Sequence, residues 1–214
     1  MKNYLLPLLL CCFTVLANGQ TRPGKKYLNV GYVSQTLKLE EDTEGLFDLK
    51  SKVGATFNAG RTFFLTKAPV AKLLNFGIDW TYIDLNYTQF NPTFEDLDEE
   101  ESSKIQKAEI GMQVGPSAHV SVPGGFSVSA YVRYAPSYSL MYADEEFSSG
   151  YAGLMVAGLS ANYTAFGIGI ENRWGTASHN FKLNEETITG EGEEGTAAQK
   201  FKLNGPRIFL SFRF

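Results

Sequence analysis

Apolar and polar residues alternate with a period of two along nearly the whole chain, and this pattern restricts the fold more than any other feature of the sequence. Successive side chains of a β-strand point to opposite faces, so such alternation predicts strands with one apolar and one polar face. Amphipathic helical periodicity is scarce. The alternating runs number eight: Leu28–Lys38, Lys52–Leu65, Leu73–Tyr87, Ile105–Val122, Phe126–Tyr142, Tyr151–Ala161, Ala165–Lys182 and Lys202–Phe214. We therefore predict an all-β protein.

The first residues have the layout of a secretory signal peptide. An apolar run from Leu5 to Leu16 is followed by small residues, which predicts cleavage between Gly19 and Gln20. Residues 1–19 are then the signal peptide, and residues 20–214 form one domain of 195 residues. Both cysteines, Cys11 and Cys12, lie in the peptide. An exported chain without cysteine fits a bacterial protein and excludes thiol catalysis and zinc–cysteine sites.

The connections between the runs alternate in length and in charge. Those at 39–51, 91–104, 143–150 and 184–199 are acidic and hold 19 of the 23 carboxylates, whereas those at 66–72, 123–125 and 162–164 are shorter. If the strands simply run up and down, all the acidic connections fall at one end, and both chain termini fall at the other. Removal of Lys2 with the signal peptide changes the net charge from −4 to −5, which argues against a nucleic-acid partner.

The fourth acidic connection is flanked by a short repeat, FKLN, at 181–184 and again at 201–204. A hairpin centred on Gly192 would place Phe181 opposite Leu203 and Leu183 opposite Phe201, with GEGEEG as its turn. We therefore expect the last two strands to extend as one hairpin beyond the part of the wall that would span a membrane. Folding of this segment into two further strands would instead give ten.

The polar faces consist of glycine, serine and a few charges of both signs, unlike the dense lysine and glutamate of a solvated surface. This composition favours a narrow polar lumen with the apolar face outside, although a soluble lipocalin-like barrel has the reverse arrangement. The predicted lumen ion network comprises Asp79, Glu109, Arg133, Glu171, Arg173 and Arg207, with Arg213, Gln113, Tyr131 and Asn58 as further members. Its expected role is to neutralise buried charge; a gate or an ion path is the alternative.

Aromatic residues gather near the ends of the runs, where the girdles of a membrane barrel would lie. The predicted girdle residues are Phe63, Phe64, Trp80, Tyr82, Tyr134, Tyr142, Tyr163, Phe166 and Trp174. Two irregularities interrupt the alternation: Arg61 shares the parity of Phe63, and Ile83 breaks the parity of Trp80. We expect β-bulges near Gly60 and Tyr82.

The chain ends on RIFLSFRF, in which Ile208, Leu210, Phe212 and Phe214 alternate with polar residues. With the signal peptide and the eight runs, this ending resembles the small outer-membrane barrels of the porin-like and OmpA/OmpX types. The resemblance implies a closed, antiparallel, up-and-down transmembrane β-barrel of eight strands in the outer membrane of a Gram-negative bacterium. It also implies that the aromatic last strand is read by the barrel-assembly machinery and closes the barrel against the first strand.

Few residues suggest chemistry. His119 is expected to be a polar group of the lumen, and His179 beside Ser178 matches the residue types of outer-membrane lipid A hydrolases, but neighbours on a strand face opposite sides. The acidic segment DLDEEE lacks the ligand spacing and glycine of a calcium loop. We predict no enzymatic activity, catalytic residue, metal or cofactor.

These features predict an integral outer-membrane barrel with a structural or interaction role. Its partners would be outer-membrane lipid and lipopolysaccharide, the barrel-assembly machinery, and a larger outer-membrane protein complex engaged through the acidic loops or the wall. A narrow pore for ions or small solutes is the alternative, followed by a lipid-modifying enzyme.

Overall fold

A computed structural model describes residues 24–40, 48–70, 73–90, 104–143, 146–183 and 195–214; the predicted signal peptide lies outside these ranges. The described residues form nine strands: β1 (Lys26–Val33), β2 (Thr36–Leu39), β3 (Asp48–Phe64), β4 (Leu74–Phe90), β5 (Ile105–Val122), β6 (Phe126–Ala143), β7 (Glu146–Tyr163), β8 (Phe166–Leu183) and β9 (Gly195–Arg213). Strands β1 and β2 are two halves of the first predicted run, since both pair with β3 and β9. Among the described residues no helix is long and apolar enough to cross a membrane.

The sheet closes on itself as an eight-stranded ring. Each strand pairs antiparallel with the next, and the last strand pairs with the first from Tyr27 opposite Arg213 to Val33 opposite Arg207. The predicted closed, up-and-down barrel is confirmed. The described residues contain no further pair of strands in the wall, so the ten-stranded alternative does not apply to them.

The stagger of the strands sets the width of the barrel. Directly opposed residues around the wall are Lys26, Arg61, Trp80, Val114, Tyr134, Met155, Trp174, Asn204 and Thr36. A line drawn through these residues leaves the first strand at Lys26 and returns to it at Thr36, so the stagger around the whole barrel is ten residues. With strands about 4.8 Å apart and a rise of about 3.3 Å per residue, this stagger corresponds to a tilt of about 40° and a radius of about 8 Å. An interior this narrow is filled by side chains.

Most of the large apolar side chains of the long strands point outward. Examples on β5 and β9 are Ile110, Val114, Ile208 and Leu210, each more than 40% exposed. Aromatic side chains border this band at both ends: near the short turns lie Phe63, Phe76, Phe126, Tyr163, Phe166 and Phe214, and near the acidic loops lie Tyr32, Tyr87, Tyr138, Tyr151 and Trp174. On β6, the twelve residue-to-residue steps from Phe126 to Tyr138 correspond to about 30 Å along the barrel axis, close to the thickness of a bilayer core.

One predicted girdle residue points the other way. The Phe64 ring lies inside the barrel, 5.3 Å from the His119 imidazole in an edge-to-face contact. It has the parity of buried Thr62, whereas Phe63 and Arg61 face outward together. The irregularity that sequence analysis placed near Gly60 is a register shift between Ala59 and Gly60, and the extra residue is Tyr82 on β4.

The strands are longer than a membrane requires. Strands β3 to β9 contain 17 to 19 residues, whereas about 10 are enough to span. Strand β7 begins at Glu146 rather than Tyr151, so residues predicted as an acidic loop extend the wall and leave only 144–145 between β6 and β7. The wall therefore extends beyond the aromatic residues that lie near the acidic loops (Tyr32, Tyr87, Tyr138, Tyr151 and Trp174). We call these residues the outer girdle, and we call the part of the wall beyond them the collar.

The register of the last hairpin differs from the prediction. Phe201 lies opposite Ala177 and Leu203 opposite Gly175, a shift of six residues from the FKLN-to-FKLN pairing. The prediction was wrong because it matched large residues with large ones. The lumen instead accommodates Phe201 and Leu203 opposite two small residues. The predicted turn itself, about Gly192, lies outside the described residues.

Candidate functional site

The centre of the lumen holds an ion cluster around Arg207. Its guanidinium is fully buried, and Nη1 lies 2.9 Å from an oxygen of Asp84 and 2.9 Å from an oxygen of Glu171, to both of which it donates. Nη2 donates to the side-chain oxygen of Asn86 at 3.1 Å. The Tyr131 hydroxyl donates to the other Glu171 oxygen at 2.6 Å. One cation thus links strands β4, β8 and β9.

A second cluster lies towards the short turns. Arg133 Nη2 donates to Asp79 at 2.6 Å, and its Nη1 donates to Gln113 at 3.1 Å. The other Asp79 oxygen accepts hydrogen bonds from Thr62 at 2.6 Å and from Ser117 at 3.0 Å. The Arg133 guanidinium also stacks on the Tyr131 ring, 3.6 Å from its centre, so the two clusters meet at this tyrosine.

A third cluster lies towards the acidic loops. Arg173 Nη1 donates to Glu109 at 2.8 Å, and Nη2 lies 3.5 Å from Asp84. The ammonium of Lys107 pairs with the other Glu109 oxygen and also donates to Gln35 at 3.3 Å. The structure therefore places all six residues of the predicted network in the lumen, in three clusters that share Asp84 and Tyr131.

Sequence analysis missed two members, Asp84 and Lys107. Lys107 lies two residues before Glu109 and therefore on the same face of the strand. The alternating pattern of the sequence was sufficient to place it in the lumen. Asp84 has the opposite parity to Asp79, so simple alternation places it on the outer face. The bulge at Tyr82 turns it inward. Of the other expected members, Gln113 and Tyr131 join the network, whereas Asn58 bonds to Asn29 at 2.8 Å.

The collar interior is apolar. Leu37, Leu49, Phe90, Ile105, Met141, Phe201 and Leu203 are all at most 9% exposed and pack together, and we call this group the apolar cap. It lies between the ion clusters and the acidic loops. Its burial inside the barrel gives the collar a hydrophobic core of its own, above the part of the wall that lipid surrounds.

The candidate catalytic residues do not form a site. His179 faces the lumen, fully buried, with its Nδ1 3.5 Å from the Ser148 hydroxyl, whereas Ser178 is half-buried on the opposite face of the strand. His119 is also buried, and its nitrogens bond to Ser129 at 2.7 Å and Ser117 at 2.9 Å. Within the described residues no group of three or more histidine, cysteine or acidic side chains could hold a metal ion.

Several solved structures resemble this barrel. Neisserial surface protein A aligns with a TM-score of 0.49 and 10% identity over 90% of this chain and 99% of its own. The outer-membrane protease OmpT from Escherichia coli aligns at 0.43 and 6% over 91% and 98%. Ail, the attachment invasion locus protein of Yersinia pestis, aligns at 0.41 and 14% over 90% and 100%. No protein-family model matches the chain, and no curated relative matches it.

The closed ring of eight strands, the outward apolar band between two aromatic girdles and the charged lumen define the class of this protein. It is a small transmembrane β-barrel of the bacterial outer membrane. The closed ring of strands confirms the barrel architecture that the resemblance to the OmpA/OmpX type implied. The fold does not itself specify an activity.

Proposed function

We propose that this barrel acts as a structural or interaction component of the outer membrane, without conducting solutes and without enzymatic activity. The observation that carries the proposal is the filling of the lumen. The ion clusters span the barrel from wall to wall, and the apolar cap lies over them. A route through the barrel would require several buried ion pairs to separate inside a radius of about 8 Å.

The outer surface then remains for recognition. On the collar, Tyr142 lies opposite Phe147, and their side chains are 44% and 66% exposed. Tyr138 lies opposite Tyr151 closer to the membrane. Such aromatic pairs are enriched at protein interfaces. Together with the acidic loops, this face of β6 and β7 supports engagement of a partner protein or of the outer leaflet.

The last strand supports a role in assembly. Ile208, Leu210 and Phe214 are at least half exposed on the outer wall, and β9 closes the ring against β1. We propose that these residues, with Phe212, form the signal read by the barrel-assembly machinery. The signal is most accessible before closure, when the edge of β9 is still unpaired.

The composition of the native particle tests the interaction role. The tagged protein is extracted from outer membranes in mild detergent and sized, and co-migrating components are identified. A stoichiometric companion that is lost from the double variant Tyr142→Ser/Phe147→Ser supports the proposal. The matched control is the double variant Val128→Ser/Tyr163→Ser at the opposite girdle of the same strands. A lone barrel, with current in planar bilayers, would instead favour a pore.

A further inference from the structure

The lumen contains one positive charge more than its carboxylates neutralise. Its buried charged side chains comprise five cations and four carboxylates among the described residues: Lys107, Arg133, Arg173, Arg207 and Arg213, with Asp79, Asp84, Glu109 and Glu171. Each carboxylate has an arginine or lysine partner within 3 Å. The extra cation is Arg213, near the end of β9 closest to the short turns.

Arg213 has weak partners. No carboxylate of the described residues lies within 4.0 Å of its guanidinium. Among the described residues, the guanidinium donates one hydrogen bond, to the Thr62 hydroxyl at 3.5 Å, and it lies 5.1 Å from the centre of the Tyr27 ring. Arg213 is nevertheless only 4% exposed. A buried charge without a counter-ion is costly.

Asp79 is the nearest carboxylate in the sequence of clusters, but it already has closer partners than Arg213. Of the carboxylates in the network it belongs to the cluster nearest the short turns, but its two oxygens already receive hydrogen bonds from Arg133, Thr62 and Ser117. The Arg133 bond is a charge-assisted contact of 2.6 Å. The demand for negative charge around Arg213 therefore remains after the protein's own pairs are formed.

Buried polar atoms without partners lie at the same end of the lumen. They are Arg213 Nε, both side-chain polar atoms of Asn75, the Ser121 hydroxyl and the Asn162 side-chain oxygen. Asn75 lies opposite His119 and Asn162 opposite Ser127, so these side chains enter the lumen from neighbouring strands. Because the interior has a radius of only about 8 Å, side chains that enter it at the same end come close together, and we call the space among these groups the chamber. Buried polar groups normally have partners.

We infer that this chamber binds a small inorganic anion such as chloride, held by the Arg213 guanidinium and the Asn75 amide. The guanidinium, amide and hydroxyl groups supply donors, and accompanying water would satisfy the two amide oxygens. The excess positive charge disfavours a cation. The serines at the mouth, Ser121, Ser127 and Ser211, are only 4 to 7% exposed, which favours a monatomic ion over a larger organic anion.

Bromide, which scatters anomalously, tests the position of the site. Crystals of the full barrel are soaked in sodium bromide, and the inference predicts an anomalous peak at hydrogen-bonding distance from the Arg213 guanidinium. The absence of a peak there would overturn the inference. A peak that persists in Asn75→Leu and Arg213→Met crystals would mean an adventitious ion only, and would overturn it as well.

Urea unfolding in lipid vesicles tests whether the ion stabilises the fold. Replacement of gluconate by chloride at constant ionic strength should raise the wild-type midpoint. Arg213→Met and Asn75→Leu should each weaken the apparent chloride affinity at least tenfold. Lys25→Met, which removes one exposed charge from the same end of the barrel, should respond like the wild type. If Arg213→Met does not fold, the Asn75→Leu variant provides the test. A chloride-dependent shift of its unfolding midpoint equal to that of the wild type would contradict the inference.

Discussion

Substitution of Arg207 by methionine should destabilise the barrel strongly. The change leaves Asp84 and Glu171 buried without the cation that now contacts both at 2.9 Å, and it removes the donor to Asn86. Loss of one partner from a buried ion pair typically costs about 3–5 kcal/mol. With a urea dependence of about 2–3 kcal/mol/M, the midpoint of unfolding in lipid vesicles should fall by about 1–2.5 M.

Two comparisons separate the stability lost because charges are left unpaired from the stability lost because packing contacts are removed. Arg61→Met removes a guanidinium from the outer wall, where Arg61 stacks on Phe63 at 5.1 Å, and should cost less than about 1 kcal/mol. Neutralisation of both carboxylates in the Arg207→Met background, with Asp84→Asn and Glu171→Gln, should restore most of the lost stability. A midpoint for Arg207→Met equal to that of Arg61→Met, or no recovery on neutralisation, would refute the reasoning.

Three further predictions concern the wall, the assembly signal and the collar. Gly169→Ala should destabilise by about 1–3 kcal/mol, because its Cβ would overlap the Phe209 ring, and Phe209→Leu should restore the loss; vesicle unfolding measures both. Phe214→Ala should reduce the folded fraction seen by heat-dependent mobility in cells, whereas Phe214→Tyr should not. Tyr142→Ser and Phe147→Ser should leave unfolding within about 0.5 kcal/mol of the wild type, since both side chains lie on the exposed surface; a larger loss would mean that these rings support the collar rather than a partner.

The fold could be predicted from the sequence because its strongest signal is local. Period two fixes which face of each strand is apolar, and the parity of Glu109, Arg133, Glu171 and Arg207 placed all four in the lumen. A transmembrane barrel has its apolar residues outside and its polar residues inside, the reverse of a soluble protein. The small residues and sparse charges of the polar face therefore indicated a lumen rather than a solvated surface.

The remaining features depend on register, which alternation does not determine. A one-residue bulge at Tyr82 moves Asp84 from the outer wall to the Arg207 cluster. The FKLN repeat suggested one pairing of the last hairpin, but the space opposite Phe201 selects Ala177 instead. The collar was predicted only for the last two strands. Its continuation along β6 and β7 was missed, because the acidic residues at 144–146 were interpreted as a loop although Glu146 belongs to β7.

Single-channel recording in planar bilayers tests most directly whether the lumen is closed. Silent bilayers are expected for the wild type when insertion is verified by protease protection, because paired charges and the apolar cap fill the interior. The triple variant Arg207→Met/Asp84→Asn/Glu171→Gln is the positive control, because it removes the ion pairs at the centre of the lumen and should let water enter there. Steady ohmic current from the wild-type barrel, altered by neutralisation of Glu109 or Arg133, would contradict the account and identify the lumen as a conducting path.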